Sequence, residues 1–315
     1  MRNDTTFQAK VILKSYFALN CVDHLPQLNF CYYNTFYSFC QHVKCKNLAI
    51  FVLFLIFVLL LDSAAFLEYN FVNKVQRRHI VMVFYYVRHG DPIYNPDQLT
   101  PLGHRQAESV SRFMAGCKID KIFSSTSTRA IQTATPTAEV LKKEITQLDF
   151  TNEKYAWERF SVECADGKRR WIEQSDQFRS ILVSPEVFAL GDKWYEHPDL
   201  AKFNFGEHFD FFRNQIDEFF ASLGYEHDRK NRIFHATRPN DDNVALFAHG
   251  GFGGIFLSSV LDIPYPQFAT RISICHTGVT VIHFSDKQGD TIPIVSQLSG
   301  TPHLFADRLP TAYYK

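Results

Sequence analysis

The sequence predicts an α/β fold: a doubly wound, mostly parallel sheet with helices on both faces and a helical and loop insertion over the site. Three observations lead there. Short β-branched and aromatic runs alternate with stretches of helical period. Two of those runs end directly in a histidine followed by glycine. The alternation begins only where the composition changes, near residue 81. All 14 glycines lie from Gly90 onward, whereas ordinary usage of about 7% would place about six in the first 81 residues.

Residues 81–87 (VMVFYYV) are apolar on both faces, as a strand buried inside a parallel sheet must be. A helix is expected over 102–115, with Thr100 as cap, Pro101 as first-turn residue, and Ala107, Val110 and Met114 at helical spacing. Then come a short strand at 121–124, a helix at 128–141 and a strand at 144–148. Residues 151–242 break the rhythm. They read as an insertion roofing a site, with a helix at 207–223 that puts Phe209, Phe212, Ile216, Phe219 and Phe220 on one side. The alternation resumes with a strand at 243–248, a helix at 251–261, a strand at 279–284 and a last strand at 291–297. Residues 82–315 thus form one predicted domain.

The first 81 residues hold four of the seven cysteines, ten of the 31 phenylalanines, and four acidic against eight basic residues. Three readings fit. Met82 is the true start and the preceding residues are translated non-coding sequence, or residues 48–67 are a single membrane span, or the apolar run is a buried helix. The uninterrupted apolar run covers 48–61 and is short for a span of about 20 residues. Lys44 and Lys46 flank one side, and Lys74, Arg77 and Arg78 the other, leaning the C-terminal side towards the cytoplasm. The domain at 82–315 is therefore expected in the cytoplasm, membrane-anchored if the span is genuine. A cleavable leader fits poorly, since its apolar run would start far closer to the N-terminus.

With 33 basic and 33 acidic residues the chain lacks the electrostatic footprint of a nucleic-acid binder. Cys117, Cys164 and Cys275 show neither disulfide pairing nor metal-ligand spacing, and Cys40 and Cys45 around His42 lack a second ligand pair. No cofactor and no metal are expected.

In a doubly wound sheet, ligands bind outside the carboxyl ends of the strands. The first strand runs into Arg88, His89 and Gly90, and the strand at 243–248 runs into His249 and Gly250. Glycine after each histidine lets backbone N–H groups face an anion. The segments YYVRHG, LTPLGHRQAE, SSTSTRAIQTA and LFAHGG, in that order, resemble the signatures of the histidine phosphatase superfamily, in the branch that includes cofactor-dependent phosphoglycerate mutases. The resemblance implies a phosphoglycerate mutase-like fold and metal-independent hydrolysis of a small phosphorylated substrate through a phosphohistidine.

On that resemblance His89 is the nucleophile, Arg88 and Arg129 bind the non-bridging phosphate oxygens, and His249 is a further catalytic phosphate donor. Asn95, seven residues after Arg88, matches the spacing of a phosphate-contacting asparagine in the mutases. Glu158, in WERFS, is the expected proton donor to the leaving oxygen, with Glu153 and Glu163 as rivals and Arg159 as a substrate contact. His276 and His303 are candidates for the pocket rim or structural histidines, and His104 is expected to be exposed at the start of its helix. The alternatives are mutase-type phosphoryl transfer and a non-catalytic, membrane-tethered phosphate-binding module. Against the mutase, the loop after the first motif and the tyrosine-glycine continuation after the glutamate-arginine pair are missing. Substrate choice is expected to come from the 151–242 segment, through Trp157, Trp171, Trp194 and Tyr195 or through a second anion site at Lys168, Arg169 and Arg170.

Overall fold

The computed structural model describes residues 81–285 and 289–311. The candidate span at 48–67, the Cys40–His42–Cys45 group and the question of where the native chain starts fall outside them. Among the described residues no helix is long and apolar enough to cross a membrane.

A six-stranded sheet organises the domain. Strand β1 (Val81–Arg88) lies at its centre, followed in the chain by the hairpin β2 (Pro92–Tyr94) and β3 (Asp97–Leu99). Helix α1 (Pro101–Gly116) leads to β4 (Lys121–Ser125), and α2 (Thr128–Leu141) leads to β5 (Ile145–Leu148). After α3 (Glu153–Phe160) come a second hairpin, β6 (Ser161–Glu163) and β7 (Arg169–Trp171), and two short helices, α4 (Asp176–Leu182) and α5 (Pro185–Leu190). The long α6 (Phe205–Ser222), β8 (Tyr225–Asp228) and β9 (Ile233–Ala236) precede β10 (Asn243–Ala248) and α7 (Gly250–Val260). The chain closes with α8 (Tyr265–Ala269), β11 (Val279–Ser285), β12 (Asp290–Thr291), β13 (Ile294–Gly300) and α9 (Pro302–Ala306).

The strand order is β13-β11-β1-β10-β4-β5. Strands β1, β10, β4 and β5 run parallel, while β11 and β13 add antiparallel pairings at one edge. The sheet is therefore mostly parallel, with helices on both faces. Side chains of β1 alternate between two cores, which is why the run is apolar throughout. Phe84 and Tyr86 enter one core with α6 and α7. Tyr85 and Val87 enter the other, against Val110 and Met114 of α1 and Ala134 and Ala138 of α2. The cap of α1 forms as the sequence predicts, with Thr100 Oγ1 accepting from the Gly103 N–H at 3.0 Å and Pro101 in the first turn.

Two expectations need correcting. The 151–242 segment is more than a roof. Its helix α6 supplies a layer of the fold, with Phe209, Phe212, Ile216 and Phe220 fully buried and Phe220 packed on Phe84 at a ring-centroid distance of 5.2 Å. A parallel sheet must be covered on both faces, and on this face α7, with only 11 residues, shares that work with α6. The expected last strand at 291–297 is two strands. Thr291 pairs with Phe234 of β9 in a separate three-stranded sheet, whereas β13 joins the main sheet. Pro293 stands between them and has no N–H to carry a ladder across.

Candidate active site

In β1 and β10, Arg88 pairs in register with Ala248, so the following residues, His89 and His249, emerge side by side at the carboxyl edge of the sheet. Their rings lie 5.2 Å apart between centroids. The chain after His89 must then turn hard against the first turn of α1. A Cβ on Gly90 would lie 2.7 Å from the Gly103 carbonyl oxygen, and one on Gly103 would lie 2.2 Å from that of Asp91. Two glycines are thus required where two backbones touch.

His89 is fully buried. Its Nδ1 lies 2.7 Å from the carbonyl oxygen of Gly90, and a carbonyl only accepts, so Nδ1 carries the proton and Nε2 the lone pair. Nε2 has no hydrogen-bond partner among the described residues. Burial first, then electrostatic coupling to His249 and the positive charge of Arg88 and Arg129, pushes this imidazole well below its ordinary pKa. It is neutral at physiological pH, as a nucleophile must be.

Arg129 stands in the first turn of α2, delivered by the strand-to-helix turn after β4. Its guanidinium donates to Asp97 Oδ1 at 2.6 Å and Glu153 Oε2 at 2.8 Å, with His249 Nδ1 at 3.1 Å. Asp97 also accepts from the Thr128 backbone N–H at 2.7 Å. Arg88 anchors on the opposite side, where its Nη1 donates to the Ile274 carbonyl at 2.6 Å.

His249 is fully buried and partnered at both nitrogens. Nε2 meets Ser125 Oγ at 2.8 Å and Ser127 Oγ at 3.3 Å. Because Arg129 can only donate, Nδ1 is the acceptor in this state and Nε2 carries the proton. Burial, opposed by the Glu153 charge, brings its pKa down to about 4.

Glu153 opens α3, where Asn152 caps the helix by accepting from the Lys154 N–H. Oε1 accepts from the Gly251 N–H at 3.0 Å, and Oε2 bonds Arg129. Burial pushes this carboxyl upward, but positive charge from the His249 and Arg129 side, together with the Gly251 N–H, outweighs it and leaves the pKa below the ordinary value. His276 packs beside His89, 5.6 Å away between ring centroids and with Nδ1 3.5 Å from Asp91 Oδ1. Burial and then Arg88 lower its pKa to about 4. Above these groups opens a cavity of about 610 Å³, lined among others by Arg88, Ser127, Arg129, Glu153, Trp157, Trp171 and Gly251.

Residues 84–180 match the model of the histidine phosphatase superfamily, branch 1. The resemblance is thereby borne out over that stretch, which contains three of the four motifs; LFAHGG lies beyond it. Similar solved structures include a phosphoserine phosphatase from Entamoeba histolytica in complex with 3-phosphoglyceric acid. It is 19% identical, covering 71% of this chain and 99% of that one, with a TM-score of 0.47. A mycobacterial glucosyl-3-phosphoglycerate phosphatase is 16% identical, covering 70% of this chain and 100% of that one, with a TM-score of 0.43. No curated protein matches the chain.

Of the residues expected from the histidine phosphatase motifs, the fold brings together Arg88, His89, Arg129 and His249. It does not bring Glu158. Five residues beyond Glu153, Glu158 lies about 140° round the helix, with its side chain 66% exposed and its contact to Arg159 as long as 4.0 Å. Glu153, the rival, occupies the place beside Arg129. Arg159 is held on the outer face, donating to the Tyr155 carbonyl and lying 4.5 Å over the Phe211 ring. Asn95 is exposed in the turn between β2 and β3; from that hairpin it is Asp97 that reaches Arg129. Glu163 sits on β6 opposite Arg169. Of the residues expected to form a second anion site, Arg169 bonds Ser161 and Arg170 bonds Asp166. Trp194 is buried in the core against Phe205 and Tyr265. His303 is buried with Nε2 3.1 Å from Thr277 Oγ1, a structural role, and His104 is exposed.

Sequence reasoning misses Asp97, Ser125 and Ser127. Asp97 lies three residues before the Thr100 cap, and the two serines frame the turn into α2, a strand-end position that carries some signal. The first-turn position of Glu153 behind an Asn cap is the cue that favours it over Glu158.

Ligand atoms of His89, Glu153 and His249 lie within 4.8 Å of one another, the spacing of a cation site among the described residues. Arg88 and Arg129 stand at the same spot, and two guanidinium charges repel a metal ion just as they repel a proton from His89. The charge arrangement suits a dianion.

Proposed function

We propose that this chain hydrolyses phosphate monoesters by transferring the phosphoryl group to His89 Nε2. The observation that carries the reading is the state of His89: neutral, fixed by the Gly90 carbonyl, and keeping a lone pair unpartnered among the described residues under the electrostatic influence of Arg88 and Arg129. Arg88 and Arg129 hold the non-bridging oxygens and offset the charge spread over them in the transition state. The P–N bond forms as the ester P–O bond breaks, and Glu153 gives its proton to the departing alkoxide. Water then attacks the phosphohistidine, Glu153 takes the water's proton, and inorganic phosphate leaves with His89 restored.

Glu153 is ionised in the unliganded site because Arg129 holds it. A phosphate dianion entering between Arg88 and Arg129 competes for that guanidinium, removes the compensating positive charge and lets burial raise the carboxyl pKa. Substrate binding thus loads the acid. His249, fixed by Ser125 and Ser127, keeps Arg129 aimed at the phosphoryl oxygens.

The test is p-nitrophenyl phosphate turnover by the full chain beside His89→Ala, with acid-labile, base-stable phosphoenzyme captured by rapid quench. Turnover and trapped phosphoenzyme should both vanish in the variant, and EDTA should leave wild-type turnover undiminished. Retained turnover in His89→Ala would overturn the assignment.

A further inference from the structure

If His89 accepts the phosphoryl group as proposed above, the cavity beyond Arg129 decides which alcohol leaves. At about 610 Å³ it is far larger than a phosphoryl group needs and falls in the range of sites that hold whole small molecules, about 300–1,000 Å³. Its outer wall is aromatic. Trp157 of α3 and Trp171 at the end of β7 both line it, half-buried and set edge to face, with ring centroids 5.2 Å apart at an interplanar angle of 82°. Tyr94 also lines the cavity, with 64% of its surface exposed and its ring 5.3 Å from the Arg129 guanidinium.

The aromatic wall begins at the chemistry itself. A Cβ on Gly251 would lie 2.2 Å from Cζ2 of Trp171, and the N–H of that same glycine holds Glu153 Oε1. The Trp171 indole therefore stands next to the carboxyl that faces the leaving oxygen, within reach of a ring attached directly to that oxygen. A ring carried many bonds further out would pass beyond it. Charge narrows the class further. Among the described residues lining the cavity the cationic ones are Arg88, Arg129 and Lys154. The first two are committed to the phosphoryl group, Lys154 is exposed, and Arg169 and Arg170 are engaged elsewhere. The wall suits a flat, weakly charged ring over a polyanionic or carboxylate-bearing alcohol.

We infer that the substrates are aryl phosphate monoesters, whose ring, borne on the ester oxygen, seats against Trp157 and Trp171 while Gln174 meets its polar substituents at the rim.

Aryl phosphates also have better leaving groups, so turnover alone would mislead, and the test uses phosphonates, which carry no scissile ester. Benzylphosphonate, methylphosphonate and cyclohexylmethylphosphonate are compared as competitive inhibitors of p-nitrophenyl phosphate hydrolysis by the full chain. Stacking on indole should make benzylphosphonate about 10-fold tighter than methylphosphonate and tighter than the cyclohexyl analogue. Trp157→Leu and Trp171→Leu should each shrink the benzyl-to-methyl ratio to about 3-fold or less, with methylphosphonate inhibition reporting that the phosphoryl site is still formed. Equal inhibition by benzyl and methyl compounds, an equally tight cyclohexyl compound, or a ratio preserved in both variants would overturn the aryl assignment while leaving the phosphatase reading intact. Absence of any turnover by folded wild-type protein would overturn the phosphatase reading, and the aryl assignment with it.

Discussion

His89 and His249 leave adjacent parallel strands at the same level, each is followed by glycine, and each is fully buried. Their surroundings differ. His89 spends one nitrogen on its neighbour's carbonyl and keeps the other unpartnered among the described residues, whereas His249 is held at both nitrogens, by Ser125 and Ser127 on one side and Arg129 on the other. Two histidines that look alike in sequence thus differ in the one respect that matters for nucleophilic attack, a free lone pair. On the proposed mechanism, the spare bonding capacity of His89 suits a nucleophile, and the saturated capacity of His249 suits a residue that positions others.

The sharpest way to break this comparison is to remove each histidine in turn. His89→Ala should abolish phosphoenzyme formation and lower kcat by about 10⁴-fold or more, because the covalent route is lost. Similar losses for the two histidines, or phosphoenzyme surviving in His89→Ala, would show that the difference in bonding does not track the difference in role.

Next in size is the carboxyl pair on α3. Glu153→Gln should reduce turnover of alkyl phosphates by about 10²–10⁴-fold and of p-nitrophenyl phosphate much less, since nitrophenolate leaves without a proton. Glu158→Gln should be within about 2-fold of wild type on both, as befits an exposed side chain. Kinetics with glycerol phosphate and p-nitrophenyl phosphate decide the matter, and the reverse pattern would return the role to Glu158.

His249→Gln should cost about 10²–10³-fold, the loss typical of one pre-aimed polar group, with phosphoenzyme still detectable by quench. Ser125→Ala should produce a smaller loss in the same direction, because it loosens His249 without removing it.

The smallest effect concerns stability. His249, His276 and His303 have pKa values lowered to about 4, chiefly by burial, against about 6.5 in an unfolded chain. As pH falls below the unfolded value, the unfolded state takes up protons that the folded state refuses. The stabilisation is therefore present above about pH 6.5 and is lost as pH falls towards 4. Urea midpoints should drop between pH 7 and pH 5, and His303→Asn should flatten the slope without altering the catalytic groups. A pH-independent midpoint over that range would mean that these histidines are not held neutral by the fold.

Most of the scaffold is legible in order. Strand β10 and helix α2 have the limits expected of them, because β-branched runs bounded by turns and an amphipathic helix closed at Lys142 are local signals. The proposed proton donor is not legible in the same way. Glu153 and Glu158 are both surface-type residues on one short helix, and only the rotation of that helix against α7 decides which faces Arg129. The α6 segment reads as amphipathic by itself, but a lid and a core layer have the same pattern when the partner surface is unknown.

The sequence by itself determined the class of the sheet, the two strand-end histidines and their glycines, and the arginine at the start of α2, since each depends on residues adjacent in the chain. The tertiary structure alone decided that Asp97 and Glu153 share Arg129, that His276 stands beside His89, and that Trp171 closes on Gly251. Those contacts join residues far apart in sequence, and charge balance and burial at a point come into existence only when the backbone has brought the groups together.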